Sequence, residues 1–256
     1  MESAPRPQIG SGLCLPFFKR YPSQMNAAPH STRHPTTHPA GQPLPPPEWV
    51  VAAATVDYRA AVAEMEATVE AMIAGTAGER IWLVEHPPVL TAGTSARPAD
   101  LVDSARFDVV PVGRGGRYTY HGPGQRVIYP MLDLGQRGKD VRRYVAALEG
   151  WAIAALGELG IHAFTSEAGT GIWVRQGDGL AKIGAIGVRV RRWISFHGLS
   201  INVTTDLSHY AAIVPCGIAE HGVTRTTDIV NGAGMEALDA ALKFHLSTFL
   251  YALSDI

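Results

Sequence analysis

Five glycines, two arginines, a proline and a histidine stand within the thirteen residues from Gly113 to Gln125, between two apolar segments. No other stretch of the chain restricts its fold as strongly. So many positions without a Cβ put backbone where side chains cannot follow, either in tight turns or close against a ligand. Two further stretches are unusual. Leu180 to Val188 carries Lys182 inside an otherwise apolar strand pattern, and Ile213 to Ile218 sets Cys216 between Pro215 and Gly217.

Residues 1–47 differ in character from the rest. Prolines recur through them, ending in Pro45-Pro46-Pro47, and His30, His34 and His38 lie among small polar residues. Such a segment has little apolar surface to offset the entropy of ordering. It is expected to be a disordered extension, or upstream sequence translated from an early start; its scarcity of acidic residues also leaves a targeting role open. Residues 48–256 are expected to form one catalytic domain.

Net charge is -1, so the molecule as a whole offers no general attraction to nucleic acid or membrane. Arg175, Arg189, Arg191 and Arg192, with Arg114, Arg117 and Arg126, cluster around the unusual segments; they form either a receptor for an acidic partner or a solvated basic face. Two cysteines, Cys14 and Cys216, are too few for a disulfide scaffold and fit a reducing, cytoplasmic setting. No apolar run reaches the roughly 18–20 residues that cross a bilayer.

Pattern reading from Glu48 onward predicts a helix capped by Asp57, with Val62, Met65, Val69, Met72 and Ile73 facing inward until Gly75 and Gly78. Strands are predicted over residues 80–84, 107–112, 126–132, 171–174, 180–190, 193–197 and 199–203. Pro130 places its strand at an edge or a bulge. A second helix spans about 140–159, with Val141, Val145, Leu148, Ala152, Ala155 and Leu159 inward, and a last one runs from Met235 to Tyr251. Helices at the ends with strands between them predict an α+β fold with a mixed or antiparallel sheet. The glycine loop lacks the helix start and downstream acid of a doubly wound nucleotide fold.

Cys216 is the candidate nucleophile. A free thiol titrates near about 8.5, and a neighbouring ammonium that lowers it to about 6.5 would make thiolate dominant at neutral pH. Lys182 is the candidate ammonium, able also to move protons. Cys216 is otherwise a small buried hydrophobe, and Lys182 a side chain that snorkels to solvent from a strand end. Gly184 and Gly187 leave room for a chain-like group along the strand, and nearby N–H groups for an oxyanion. His121 and His197 are candidates for proton handling or for hydrogen bonding an acyl carbonyl, or are structural histidines. His86 shapes a loop, and His209 and His221 show no metal-ligand spacing.

Arg114-Gly-Gly-Arg-Tyr-Thr-Tyr-His-Gly-Pro-Gly-Gln125, Lys182-Ile-Gly-Ala-Ile-Gly-Val188, Phe196-His-Gly-Leu-Ser-Ile-Asn202 and Pro215-Cys-Gly217 resemble, in order, the signatures of the lipoyl(octanoyl) transferase family. Glu85 to Gly93 resembles that family's early motif, and the likeness covers about residues 48–230. The resemblance implies the fold of biotin and lipoate protein ligase catalytic domains. It implies that Cys216 carries the acyl group as a thioester while Lys182 lowers its pKa. It further implies an acyl pocket lined by Arg114, Gly115, Gly116, Arg117, Tyr118, Thr119, Tyr120 and His121, by Ala185, Ile186 and Gly187, and by Gly198, Leu199 and Ser200. Ser200 stands where many relatives carry alanine.

Implied partners are octanoyl-acyl carrier protein as donor and, as acceptors, the apo lipoyl domains of 2-oxoacid dehydrogenases and the glycine cleavage H protein. Both are expected to be acidic. Thioester to amide is downhill, so no nucleotide, cofactor or metal is called for. The alternatives are an ATP-dependent lipoate or biotin ligase, which needs the lysine but no cysteine, a hydrolase with His197 as base, and a non-enzymatic carrier-binding module.

Overall fold

The structure is a computed structural model that describes residues 44–214 and 221–254. Cys216, with Pro215 and Gly217, and nearly all of the proline-rich segment lie outside the described residues.

The chain enters through β1 (Glu48–Val51) and the first helix, α1 (Tyr58–Ile73). Asp57 caps that helix as its side chain accepts from the Ala60 amide, satisfying one of the orphan donors of the first turn. Ala61, Met65, Val69 and Met72 form its buried stripe, and Gly75 ends it at φ +74°. Strands β2 (Arg80–Val84), β3 (Val89–Ala92) and β4 (Val109–Pro111) follow, then β5 (Tyr118–His121) and β6 (Gln125–Met131). Helix α2 (Val141–Glu158) leads to β7 (Ala163–Ser166), β8 (Gly169–Gln176), β9 (Gly179–Arg191) and β10 (Ile194–Asn202). The chain ends with β11 (Gly222–Val223), a short α3 (Thr226–Ile229), α4 (Met235–Phe244) and α5 (Leu246–Leu253).

Among the described residues, the main sheet runs β1-β2-β6-β10-β9-β8-β7, with β11 paired to β9. It is mixed: β1 with β2 and β11 with β9 are parallel, and the other neighbours antiparallel. A smaller sheet, β4-β3-β5, stands apart from it. Helix α1 covers one face of the main sheet, where Met65 and Val69 meet Val127, Tyr129 and Phe196. Helices α2, α4 and α5 cover the other, where Leu148, Ala152, Leu238 and Phe249 pack on Ile183, Leu199 and Ile201. The α+β expectation holds.

Several local expectations are corrected. β6 is not an edge strand but lies between β2 and β10. Its pairing with β10 runs from Asn202↔Gln125 to Leu199↔Ile128 and stops short of Pro130, so the missing proline N–H faces a gap in the ladder. The Pro130 carbonyl is satisfied there by the Ser195 hydroxyl at 2.9 Å and the Tyr144 hydroxyl at 3.3 Å. The α2 stripe holds at Leu148, Ala152 and Ala155 but is wider than predicted and starts later: Val141 is exposed, and Tyr144, Trp151 and Leu156 are buried as well. The two strands read over 193–203 are one, β10, and the last helix is broken at His245 into α4 and α5.

Two buried ion pairs tie layers together. Arg126 on β6 grips Asp239 on α4 through two bonds of 2.7 and 2.8 Å, and Arg137 grips Glu79 in the same two-pronged way. Burial pushes the Asp239 carboxyl up, and Arg126 pulls it part of the way back. Removing one partner of such a buried pair costs about 3–5 kcal/mol, because the other charge is left uncompensated.

Candidate functional site

The glycine-rich run is only half a loop. Gly113 to Arg117 turn, and Tyr118 to His121 form β5, which pairs with β3 from Ala92↔Tyr118 to Val89↔His121. Within the run, Gly113 makes room for the Arg189 side chain and Gly122 for that of Tyr120, while glycines on or just past the strands beside it make room for its backbone. A Cβ on Gly93 would lie 2.3 Å from the Gly116 carbonyl oxygen, and one on Gly187 would lie 3.0 Å from both the Gly115 oxygen and Arg114 Cδ. The loop therefore rests directly on β9, where the Gly115 amide donates to the Val188 carbonyl at 3.0 Å.

Arg114 holds this loop in shape. It is 6% exposed, and its guanidinium donates to the carbonyls of Thr91 and Arg117 at 3.0 Å, to that of Gly115 at 2.9 Å and to Thr91 Oγ1 at 2.6 Å. A planar fork suits several fixed acceptors at once. Arg117 reaches outward to Asp100 at 3.3 Å.

Between the loop, β5, α1 and the main sheet lies a narrow cleft with about 450 Å³ of empty space, its mouth included. Of the positions singled out in the sequence, the cleft brings together Arg114, Gly116, Arg117, Tyr118, Thr119 and His121 from the loop and β5. It adds Ala185, Ile186 and Gly187 from β9 and His197, Gly198, Leu199 and Ser200 from β10. Gly115 and Tyr120 do not line it. Tyr120 points away from Thr119 and His121, into a cluster with Leu90, Tyr118, Tyr210 and Ile213; of that face only Tyr118, at the start of β5, reaches the cleft. Tyr58, Val127 and Tyr129 line the cleft and were missed. Val127 and Tyr129 lay in a strand already predicted, on alternate positions, but nothing in the sequence told which face of β6 met the glycine loop.

Lys182 reaches this face through a β-bulge. Ile172 pairs with Gly184 and Trp173 with Lys182, so one step along β8 spans two along β9. Ala181 and Ile183 lie in the α2-side core, and so do Ile186, Val188 and Val190. The alternation thus changes phase once, and Lys182 emerges on the face of Ala185 and Gly187. Its side chain is laid across Gly171, where a Cβ would stand 2.4 Å from Lys182 Cε. The amine donates to the Thr170 carbonyl at 2.8 Å and lies 5.1 Å from the centre of the Trp173 ring, contacts that suit a cation. Lys182 is 6% exposed, so the snorkelling alternative fails.

Another wall of the cleft is built from aromatic and imidazole rings. His86, read as a loop-shaping residue, is fully buried: its Nδ1 donates to the Val56 carbonyl at 2.6 Å, which leaves Nε2 to accept from the Tyr129 hydroxyl at 2.7 Å. Gln125 turns its amide nitrogen toward Tyr120 O, Asn202 Oδ1 and the Tyr210 hydroxyl, so its oxygen accepts from His121 Nδ1 at 2.6 Å. Burial lowers the pKa of His86 to about 4 and that of His197 to about 3, Arg114 and Arg189 adding to the fall at His197. Burial, then His86, also holds His121 well below the usual histidine range. Burial pushes the hydroxyls of Tyr58 and Tyr129 up. The histidines and tyrosines here are thus neutral, while the Arg114 guanidinium is turned to Thr91, Gly115 and Arg117 and Arg189 lies near enough to act on His197.

A buried amine facing one end of a narrow cleft walled mostly by carbon and neutral rings is suited to holding an acyl chain beside a reacting carbonyl. The fold that carries it is that of lipoate protein ligases. The chain superposes with a TM-score of 0.63 at 16% identity on the bipartite lipoate protein ligase of an archaeal lipoylation system from Thermoplasma acidophilum, covering 80% of this chain and 84% of the other. A lipoate-protein ligase A determined with ATP gives a TM-score of 0.61 at 16% identity, over 80% and 86% of the two chains. Residues 57–247 match the family model of the lipoyl protein ligase A/B catalytic domain. Octanoyltransferases are far nearer in sequence. That of Sphingopyxis alaskensis is 57% identical over 208 residues, 81% of this chain and 95% of its own, and that of Caulobacter vibrioides is 52% identical over 214 residues, 82% and 95%.

The chain belongs to the lipoyl protein ligase A/B catalytic-domain family and, within it, is an acyltransferase of the lipoyl(octanoyl) transferase kind. Its reaction is octanoyl transfer in lipoate biosynthesis. No helix among the described residues is long and apolar enough to cross a membrane.

Proposed function

We propose that the enzyme takes octanoate from octanoyl-acyl carrier protein, holds it as a thioester on Cys216, and delivers it to one lysine of an apo lipoyl domain. The observation that carries this reading is the placement of Lys182, a buried amine turned by the bulge onto the face that forms the floor of the cleft. The Cys216 thiolate attacks the carrier thioester carbon. The bond to the phosphopantetheine sulfur breaks, and that sulfur leaves with a proton relayed through Lys182. The acceptor lysine, as neutral amine, then attacks the octanoyl-cysteine carbonyl, gives up its proton through Lys182, and the Cys216 sulfur leaves as thiolate.

The dimensions agree. From Ala185 to the row of Val188 and His197 is three strand steps, roughly 10 Å at about 3.3 Å each, comparable with an extended eight-carbon chain. The two arginines of the lining are engaged elsewhere, Arg114 with the Thr91, Gly115 and Arg117 carbonyls and Arg117 with Asp100, so the chain meets chiefly carbon and neutral rings; burying methylenes is worth about 0.8 kcal/mol each. Residues 48–256 act on this reading as the catalytic unit. The acceptors are the lipoyl domains of 2-oxoacid dehydrogenases and the glycine cleavage H protein, in the cytoplasm, and no cofactor takes part.

Intact-mass measurement after mixing with octanoyl-acyl carrier protein tests this directly. One octanoyl group should add to the protein, vanish in Cys216→Ala, and be discharged by an apo lipoyl domain. Transfer from free octanoate that requires ATP and survives Cys216→Ala would overturn it in favour of a ligase.

A further inference from the structure

His197 stands in the middle of β10 at φ +57°, the left-handed region that few residues other than glycine enter. Its neighbours alternate regularly. Ile194 and Phe196 face α1, while Leu199 and Ile201 face α2. By that alternation His197 belongs with Leu199, on the α2 side. The left-handed turn brings its ring instead onto the α1 face, stacked on Phe196 at 5.2 Å and edge-on to Tyr129 at 6.3 Å.

The ring is there for no structural hydrogen bond. It is 2% exposed, and its Nδ1 is buried without a hydrogen-bond partner among the described residues. A left-handed backbone and an unsatisfied ring nitrogen both cost stability, so the fold alone gives no reason for an imidazole here. Its position along the cleft does. On β9 the lining runs from Ala185 to Gly187 and on β10 from Ser200 back to His197; residues 188–191 and 194–196 take no part. Lys182 lies beyond the Ala185 end, and His197 terminates the other.

Resting on the reading of this cleft as the acyl pocket, the geometry points to His197 as the residue that closes the pocket's far end and limits the length of acyl chain it accepts. The ring meets the terminal methyl and takes no part in the chemistry at the carbonyl. The neutral state of the imidazole fits that task, since a charged ring would repel an apolar tail.

The test uses the full chain with hexanoyl-, octanoyl-, decanoyl- and dodecanoyl-acyl carrier protein and an apo lipoyl domain. His197→Gly removes the ring at a backbone conformation glycine adopts freely. A methylene that gains apolar lining is worth about fourfold, the equivalent of about 0.8 kcal/mol. The decanoyl-to-octanoyl ratio of kcat/KM should therefore rise by up to roughly 15-fold for two methylenes. His197→Asn, also tolerant of this backbone, should give a smaller shift in the same direction; should His197→Gly be too unstable to assay, it carries the test. Unchanged chain-length ratios in both variants, with wild type active, would overturn the inference while leaving the proposed function intact. Loss of transfer at every chain length in folded variants would equally overturn it, by making His197 a chemical group. A wild type that accepts octanoyl from no carrier would instead sink the reading of the site itself.

Discussion

Replacing Gly171 by alanine should separate the position of Lys182 from its chemistry. Gly171 sits at φ +132°, a conformation held essentially by glycine alone. A Cβ there would lie 2.4 Å from Lys182 Cε, 3.0 Å from Lys182 Nζ and 2.8 Å from the Gly184 carbonyl oxygen. The lysine can swing away; the Gly184 oxygen belongs to the sheet and cannot. Backbone strain of about 1–3 kcal/mol and overlap of about 1–3 kcal/mol predict a stability loss of about 2–6 kcal/mol. That is a large fraction of the roughly 5–15 kcal/mol a domain has. The displaced amine adds a second effect, since misplacing a reacting group by about 1 Å costs on the order of 100-fold in rate. Urea unfolding gives the first quantity, and single-turnover transfer from octanoyl-carrier protein, under conditions where the variant is folded, gives the second. Gly150→Ala is the control. Nothing lies within 4 Å of its Cβ position in the middle of α2, and it should stabilise by about 0.5–1 kcal/mol. A Gly171→Ala enzyme with wild-type stability and wild-type transfer would refute the seat assigned to Lys182.

Arg114→Lys keeps the charge but loses the fork that holds four acceptors; stability should fall by about 2–4 kcal/mol, and unfolding midpoints equal to wild type would show the fork to be dispensable. Asp57→Ala should remove the α1 cap at a cost of about 1 kcal/mol, checked by denaturant titration. His86, His121 and His197 have folded pKa values below the unfolded value of about 6.5. Their contribution is fully present above pH ~6.5 and is lost as pH falls toward the folded values, because the unfolded chain then binds more protons. Each should contribute a slope of up to about 1.4 kcal/mol per pH unit between about pH 6.5 and 4; flat unfolding free energies across that window would contradict their buried neutral state.

Much of the scaffold could be read locally. The Asp57 cap, the 3.6-residue stripe of α1 and the run Arg80 to Val84 are decided by neighbours a few residues away, so sequence pattern suffices for them. The motifs carrying Arg114, His121 and Lys182 were likewise visible as unusual residue types in the wrong places, and that carrying Gly198 through its family resemblance. Pro130 misled because a proline's cost depends on what faces its missing donor. Here that is a gap in the β10 ladder filled by Ser195 and Tyr144, partners 65 and 14 residues away. Tyr120 misled because a loop reading carries no alternation, and β5 exists only once β3 is beside it.

Amino-acid order by itself determined which residue types could do the chemistry and which family they belong to. Only tertiary structure decided which way they face. The one-residue bulge that turns Lys182 toward the cleft, the left-handed turn that swings His197 across the sheet, and the convergence of Tyr58, Val127 and Tyr129 on one cleft all depend on strand register. Register is set by packing between segments far apart in the chain, and a slip of one residue sends a side chain to the opposite face.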